Sequence, residues 1–481
     1  MKKVVVIGGG ITGLTAVYEL QKKSREQNIP VEIILLEKKS KVGGVFTTEK
    51  VDGFLIEGGP DSFEMFKPAP LELAKELGIE DEVIGANTEM HRNYIFAKGK
   101  LHEIPKGLLG LVPQKISSLA LFPLISLRGR MRAALELIMP PLKQQGGEIS
   151  LGEFYKRRFG RETFEVVAEP LFGSIYACIP ETISIKTCWP RGLALEKEYG
   201  SLVRGMIARK REMKKTQKKE GGEEKKKASI FRTFKNGMSE LIDKLIEIIG
   251  PGVIRTGVEV GTVRVNRGDK KYSILLKNGE IIETDICIVA TSPSYLTSRI
   301  IEEIDPAIAD MLLRIPYASS ATISLAYKKE GFNHPLDGFG FLVARMEKRR
   351  IKACSWSSTK FSNRSDENHV LIRCFVGNAQ EETIVYKSDE EILKVVKEDL
   401  KDIMGITAEP IFTRIYRYPN GMVQYTLGHG ERIAFMEERL RKYPGLFLVG
   451  NAYRGMGIGD CISQGRLAAK KTIEQLSGLV E

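Results

Sequence analysis

The chain reads as an α/β protein with α+β insertions, and three stretches predict it. An apolar strand, a glycine turn and a helix open the sequence ("KKVVVIGGGITGLTAVYELQKK"), an almost wholly apolar strand lies near residue 286 ("DICIVAT"), and a second unit of strand, glycine-rich turn and helix fills residues 443–476 ("YPGLFLVGNAYRGMGIGDCISQGRLAAKKTIEQL"). Strands apolar on both faces belong in a parallel sheet covered by helices. Because these pieces recur at the start, middle and end, other domains must be inserted between them. The 481 residues exceed what a single core usually organises.

In the opening unit Gly8, Gly10 and Gly13 stand in GxGxxG register between a strand at 3–7 and a helix from about 11 to 24. Gly8 permits the tight turn, Gly10 leaves room for backbone beside a pyrophosphate, and Gly13 lets helix and strand approach. Ile11 and Thr12 start the helix, whose amino terminus faces the diphosphate charge. The next strand, "VEIILLE", ends at Glu37, where a carboxylate accepts hydrogen bonds from both adenosine ribose hydroxyls and repels a 2'-phosphate. The plain alternative is an ordinary βαβ turn with a solvated Glu37. NAD and FAD both suit such a unit. Gly43-Gly44 and "IEGGPDSF" then add more glycine structure than a nicotinamide site requires.

Composition narrows the partners. Lys plus Arg outnumber Asp plus Glu by 73 to 61, a formal +12 that favours something anionic. Much of the excess sits in "RKREMKKTQKKEGGEEKKKA" (209–228), which lacks the apolar area to offset ordering and reads as a helix tail and loop. Without aromatic interleaving, a zinc module or a recognition-helix pattern, no nucleic-acid partner is expected. Cysteines 178, 188, 287, 354, 374 and 461 form no CxxC, and the five histidines form no HExxH, so reduced cysteines in a cytoplasmic protein and no metal are expected. No run of eighteen apolar residues suggests a spanning helix.

Along the middle, residues 68–85 read as a helix begun near proline and ended at Gly78. The segment 101–142 mixes apolar residues, prolines and spaced bases, and suits either a helical domain interface or an anionic membrane surface with Lys115, Arg128, Arg130 and Arg132 near headgroups. Residues 150–184 look helical. Ser239 is placed at the start of a helix running to about 249, followed by strands with an Asn278-Gly279 hairpin turn. "SSATISLAY", "GFGFLVAR", "IKACSWSS" and "HVLIRCFVG" predict a mostly antiparallel sheet with a broad substrate face, before the helix-like "EEILKVVKEDLKDIMG" and the aromatic "RIYRYPNGMVQYTLGHGERI".

Taken together, "VVVIGGGITGLTA", "LLEKKSKVGG", "GFLIEGGPDSF", "SLGEFYKRRFG", "EPLFGSIYA" and "GIGDCISQG" make the chain resemble the flavin amine-oxidase and phytoene-desaturase superfamily. Within it the chain is most similar to the Gram-positive type of oxygen-dependent protoporphyrinogen or coproporphyrinogen oxidase. The resemblance covers nearly the whole chain apart from 210–228. It implies noncovalent FAD, held by Gly8, Gly10, Ile11, Thr12, Gly13, Glu37, Lys38, Gly43, Gly44, Gly59, Pro60, Asp61 and Ser62. Val260 lies near adenine, and Tyr418, Gly450, Met456, Gly457 and Ile458 toward the reactive end. On the substrate side it implies Lys67, Ile175 and Cys178. The chain departs from the family with Val45 for Arg or Lys, Cys178-Ile179 for Gly-Asp, Tyr418 for tryptophan, and Val423 and Gly459 for prolines.

The activity so implied is oxidation of coproporphyrinogen III to coproporphyrin III in haem biosynthesis. Three two-electron steps pass hydride equivalents from a meso methylene toward flavin N5, oxygen reoxidises the flavin and hydrogen peroxide leaves; no catalytic side chain is assigned. Protoporphyrinogen IX oxidation, and amine oxidation or hydrocarbon desaturation on the same scaffold, are the alternatives, with a non-enzymatic flavoprotein that binds an anionic surface as a third. Hand-over to another haem-pathway enzyme and contact with the inner membrane face are further expectations. His429 is read as structural. The fold implied is a Rossmann-like FAD-binding domain assembled from 1–60, 229–300 and 425–481, an antiparallel-sheet substrate domain from 61–90 and 301–424, a helical, membrane-facing subdomain at 91–208, and the basic loop 209–228.

Overall fold

The computed structural model describes residues 1–105, 107–108, 122–142, 147–219, 229–266 and 271–478. Lys115 and residues 220–228 of the basic run lie outside them.

Five parallel strands form the first sheet, in the order Ile254–Arg255, Val31–Leu36, Lys2–Ile7, Ile286–Val289 and Leu446–Leu448. Alternation along Lys2–Ile7 sends Val4 and Val6 to one core and Val5 and Ile7 to another. On the first face pack the helices Ile11–Glu26, Ser239–Ile249 and Ile458–Leu476, through Leu14, Val17, Leu241, Leu245, Ile462 and Ala469. On the second lie the antiparallel strands Val260–Val265, Tyr272–Leu276 and Ile281–Thr284 with the helices Ser294–Ile301 and Pro306–Leu313. Each fully buried valine or leucine here contributes roughly 1.5–3 kcal/mol.

A seven-stranded sheet follows the order Phe412–Val423, Tyr317–Lys328, His369–Val376, Ile351–Ser355, Gly338–Val343, Arg92–Ala97 and Lys100–Glu103. Every pair is antiparallel except Gly338–Val343 with Arg92–Ala97. Helix Asp389–Met404 covers one face through Ile392, Val396 and Leu400. The third body is helical, with Phe154, Tyr155, Phe159, Phe164 and Phe172 buried together and a Ser150–Glu153 capping box starting Leu151–Phe159.

Three expectations need correction. Residues 92–103, read as part of the helical body, are a hairpin on the seven-stranded sheet. Ile95 packs into the helical core while Phe96 packs into the sheet core, so both faces are buried and the alternation that marks a strand is lost. Residues 61–90, assigned to the substrate side, join the first core instead: Phe63, Leu73, Ala74 and Leu77 pack there, and Phe63–Glu64 and Val83–Gly85 flank the strand Phe231–Phe234. The bases expected at a membrane are not all free. Arg130 donates to the Ile125 and Phe122 carbonyls and Arg132 to those of Lys156, Arg157 and Arg158, which leaves Arg128 exposed. Among the described residues no helix is long and apolar enough to cross a membrane.

Candidate cofactor and substrate site

The opening turn is built by exclusion. Gly8 has φ +107°, and a Cβ there would lie 2.7 Å from the Ala290 carbonyl oxygen. A Cβ on Gly13 would collide with the Gly8 carbonyl oxygen, so the helix seats on the strand only as glycine. At Gly10 a Cβ would meet nothing within 4 Å among the described residues, which leaves a gap over the helix start. The helix has no side-chain cap and no acidic residue in its first turn, so its leading N–H groups face that gap. A diphosphate fits this chemistry. Ile11 and Thr12 are themselves buried beneath it.

Around this gap the chain closes a collar. Glu37 accepts from the Gly9 N–H through Oε2 and from the Lys39 N–H through Oε1, both at 2.8 Å. Gly43 donates to the Gly9 carbonyl at 2.7 Å, and a Cβ on Gly44 would stand 3.2 Å from Gly10 Cα. Val258 donates to the Glu37 carbonyl at 2.9 Å, which brings Val260 to the same end. Lys38 turns outward, paired with Glu259 at 3.1 Å on the surface.

A second group of expected residues meets where the seven-stranded sheet faces the loop 58–62. Gly59 packs on Val45, since a Cβ would collide with the Val45 carbonyl oxygen, and the Val45 side chain itself points to solvent. Pro60 follows, and Asp61 pairs with Lys360 at 2.9 Å and accepts from Ser62 Oγ at 2.7 Å. Burial pushes the Asp61 carboxyl up, but Lys360, Arg373 and the Ser62 hydroxyl outweigh it and hold the group well below the usual carboxylate range. Arg373, 4% exposed, donates through Nη2 to the carbonyls of Gly58 at 2.5 Å and Gly59 at 2.6 Å. Tyr418 lies on the strand beyond; burial raises its hydroxyl pKa while the Arg373 charge opposes that. Sequence reasoning missed Arg373 and Lys360. The signal was present: Arg373 is the one charged residue in the apolar run "VLIRCFV".

The closing turn adds a third edge. Gly450, with φ +126°, donates to Gln464 Oε1 at 3.2 Å. After Met456, Gly457 donates to Asp460 Oδ2 at 3.1 Å and caps the helix that Ile458 begins. Asp460 also pairs with Lys67, whose side chain is 41% exposed. The expected substrate cation is therefore held by an acid from the closing turn, which sequence reasoning did not foresee. Gly459 is explained by the same contact: a Cβ there would lie 2.8 Å from Lys67 Cβ.

Ile175, expected on the substrate side, is half exposed in the last turn of the helix Glu169–Tyr176, which Ala177 terminates in a left-handed conformation at φ 47°. Cys178, expected beside it, is instead buried with Sγ toward the Phe172 carbonyl, and burial pushes its thiol pKa well up. The turn after Ala177 folds it inward, away from the surface. His429 is fully buried; burial lowers its pKa to about 4 against a bond from the ring to the Tyr453 carbonyl.

A parallel sheet with an uncapped glycine turn at one end, joined to an antiparallel sheet that brings cations to a second glycine loop, is the build of a flavoprotein oxidoreductase. The chain belongs to the flavin containing amine oxidoreductase family, whose model matches residues 11–473. It is an enzyme of that class and its cofactor is FAD. It is 35% identical to the coproporphyrinogen III oxidase of Bacillus subtilis (strain 168), over 99% of this chain and 98% of that one. It is 32% identical to the coproporphyrinogen III oxidase of Staphylococcus aureus (strain NCTC 8325 / PS 47), over 99% and 100%. A crystal structure of an Exiguobacterium sp. 255-15 protein superposes with a TM-score of 0.84 at 30% identity, covering 98% of this chain and 99% of that one.

Proposed function

We propose that this protein oxidises coproporphyrinogen III to coproporphyrin III in haem biosynthesis, with three molecules of oxygen taken to three of hydrogen peroxide. The observation that carries the reading is the end-to-end identity, 35% and 32%, to two enzymes named for that reaction. FAD, bound noncovalently, supplies the two-electron redox chemistry. The residues supply position. Gly8 to Gly13 and the helix start receive the diphosphate, Glu37 the ribose, and the backbone around Val260 the adenine. Gly59 to Ser62, Tyr418, Gly450 and Met456 to Ile458 surround the reactive ring. In this reading the parallel sheet and its helices are a Rossmann-like domain assembled from separated segments, and the seven-stranded sheet carries the substrate face.

Lys67 is the substrate-facing cation of this reading. A carboxylated macrocycle matches an ammonium at Lys67 and an apolar wall at Ile175, and Asp460 keeps the ammonium in place between turnovers. The same reading puts the protein in the cytoplasm, at the inner membrane face. Supporting it, Leu127, Met131, Leu135 and Ile138 form an exposed apolar stripe at helical spacing next to exposed Arg128. Sedimentation with anionic and neutral vesicles tests this, with retention by anionic vesicles expected.

The decisive experiment mixes the protein anaerobically with coproporphyrinogen III and, separately, protoporphyrinogen IX, follows flavin bleaching, and then admits oxygen. Faster bleaching by the tetracarboxylate, with recovery and porphyrin fluorescence on aeration, is expected. Bleaching by an amine and by neither porphyrinogen would overturn the reading. Lys67→Ala should raise KM more for the tetracarboxylate than for the dicarboxylate.

A further inference from the structure

Arg373 occupies the middle of an interior strand, where a cation costs several kcal/mol unless it is compensated. Its compensation is incomplete. Nη2 is shared by two carbonyls, while Nε is buried with no hydrogen-bond partner among the described residues. The nearby carboxylates are already engaged: Asp61 by Lys360 at 2.9 Å, and Glu57 by Arg364 at 3.8 Å together with the Met238 N–H and the Thr48 hydroxyl. Burial raises the Glu57 pKa, while the Met238 N–H, the Thr48 hydroxyl and Arg364 act against it. Among the described residues, Lys360, Arg364 and Arg373 thus face two carboxylates around the loop 58–62.

We infer that Arg373 is a positioning residue whose unbalanced charge raises the reduction potential of the bound flavin. The inference rests on the reading that Gly59 to Ser62 lie against the flavin. Uptake of two electrons and one proton leaves the cofactor one unit more negative, and a fixed cation in a site of low polarity favours that state. The bonds to Gly58 and Gly59 hold the guanidinium beneath the loop, and Asp61 moderates it with the opposite sign.

The test is an anaerobic dithionite titration of the FAD-loaded protein against a reference dye. Arg373→Gln should bind reduced FAD, relative to oxidised, at least about tenfold less tightly than the parent, a fall of about 30 mV for a two-electron couple. Arg373→Lys should restore most of the shift. Asp61→Asn should move the potential upward, so the sign is tested even if Arg373→Gln does not fold. If Asp61→Asn shifts the potential and Arg373→Gln retains FAD with none, Arg373 only supports the loop and the inference falls. If all three leave potential and flavin spectrum unchanged, the loop is not at the flavin and the underlying reading falls as well.

Discussion

The opening and closing glycine turns look alike in sequence and are held in opposite ways. The first, Gly8 to Gly13, is shaped by what is missing: two glycines avoid collisions with backbone, and the third leaves an empty gap. The second, Gly455 to Ile458, is shaped by a side chain, since Asp460 fills the place a Gly455 Cβ would take, caps Gly457 and holds Lys67. Glycine before a helix therefore has two physical meanings: a surface cleared for a ligand, or a seat for a carboxylate. Only the first leaves the helix amino terminus free.

That contrast can be broken from the first turn. Gly13→Ala should cost about 3 kcal/mol or more in denaturant unfolding and strip FAD from the purified protein, because neither helix nor strand can yield. Equal stability would mean that the close approach is not required. The approach to the second turn carries a titratable group. The His429 pKa drops from 6.5 to about 4, so the unfolded chain binds the proton first, and stability is complete above pH 6.5 and lost as pH falls toward 4. The loss should reach roughly 2–3 kcal/mol, and His429→Gln should flatten the profile. Asp460→Ala removes a cap and an ion pair, for about 1–2 kcal/mol in thermal unfolding. Gly10→Ala sharpens the comparison most finely: stability without cofactor should stay within about 0.5 kcal/mol, since a methyl there meets nothing within 4 Å among the described residues, while under the proposed diphosphate placement FAD affinity falls tenfold or more. A variant that binds FAD like the parent would remove the diphosphate from that gap.

Local pattern carried the opening unit, the Asn278-Gly279 hairpin and the apolar strand at 286, because each signal lies within a dozen residues. Arg373 on Gly58 and Lys67 on Asp460 were not legible, since each joins residues more than three hundred positions apart. Arg92–Ala97 was missed for a different reason. A strand sandwiched between two cores shows no polar face, and its partner Gly338–Val343 is remote.

The parallel sheet draws its strands from both extremes of the chain, and that has a cost during synthesis. The closing helix Ile458–Leu476 packs against the opening helix, with a Cβ on Gly465 only 2.5 Å from the Thr12 carbonyl oxygen. At about 5–20 residues per second, the apolar flank of the first helix waits on the order of 20–90 s for its cover to leave the ribosome. The nascent protein must be shielded for that interval, and a ribosome stalled before residue 446 would release a chain whose first core cannot close.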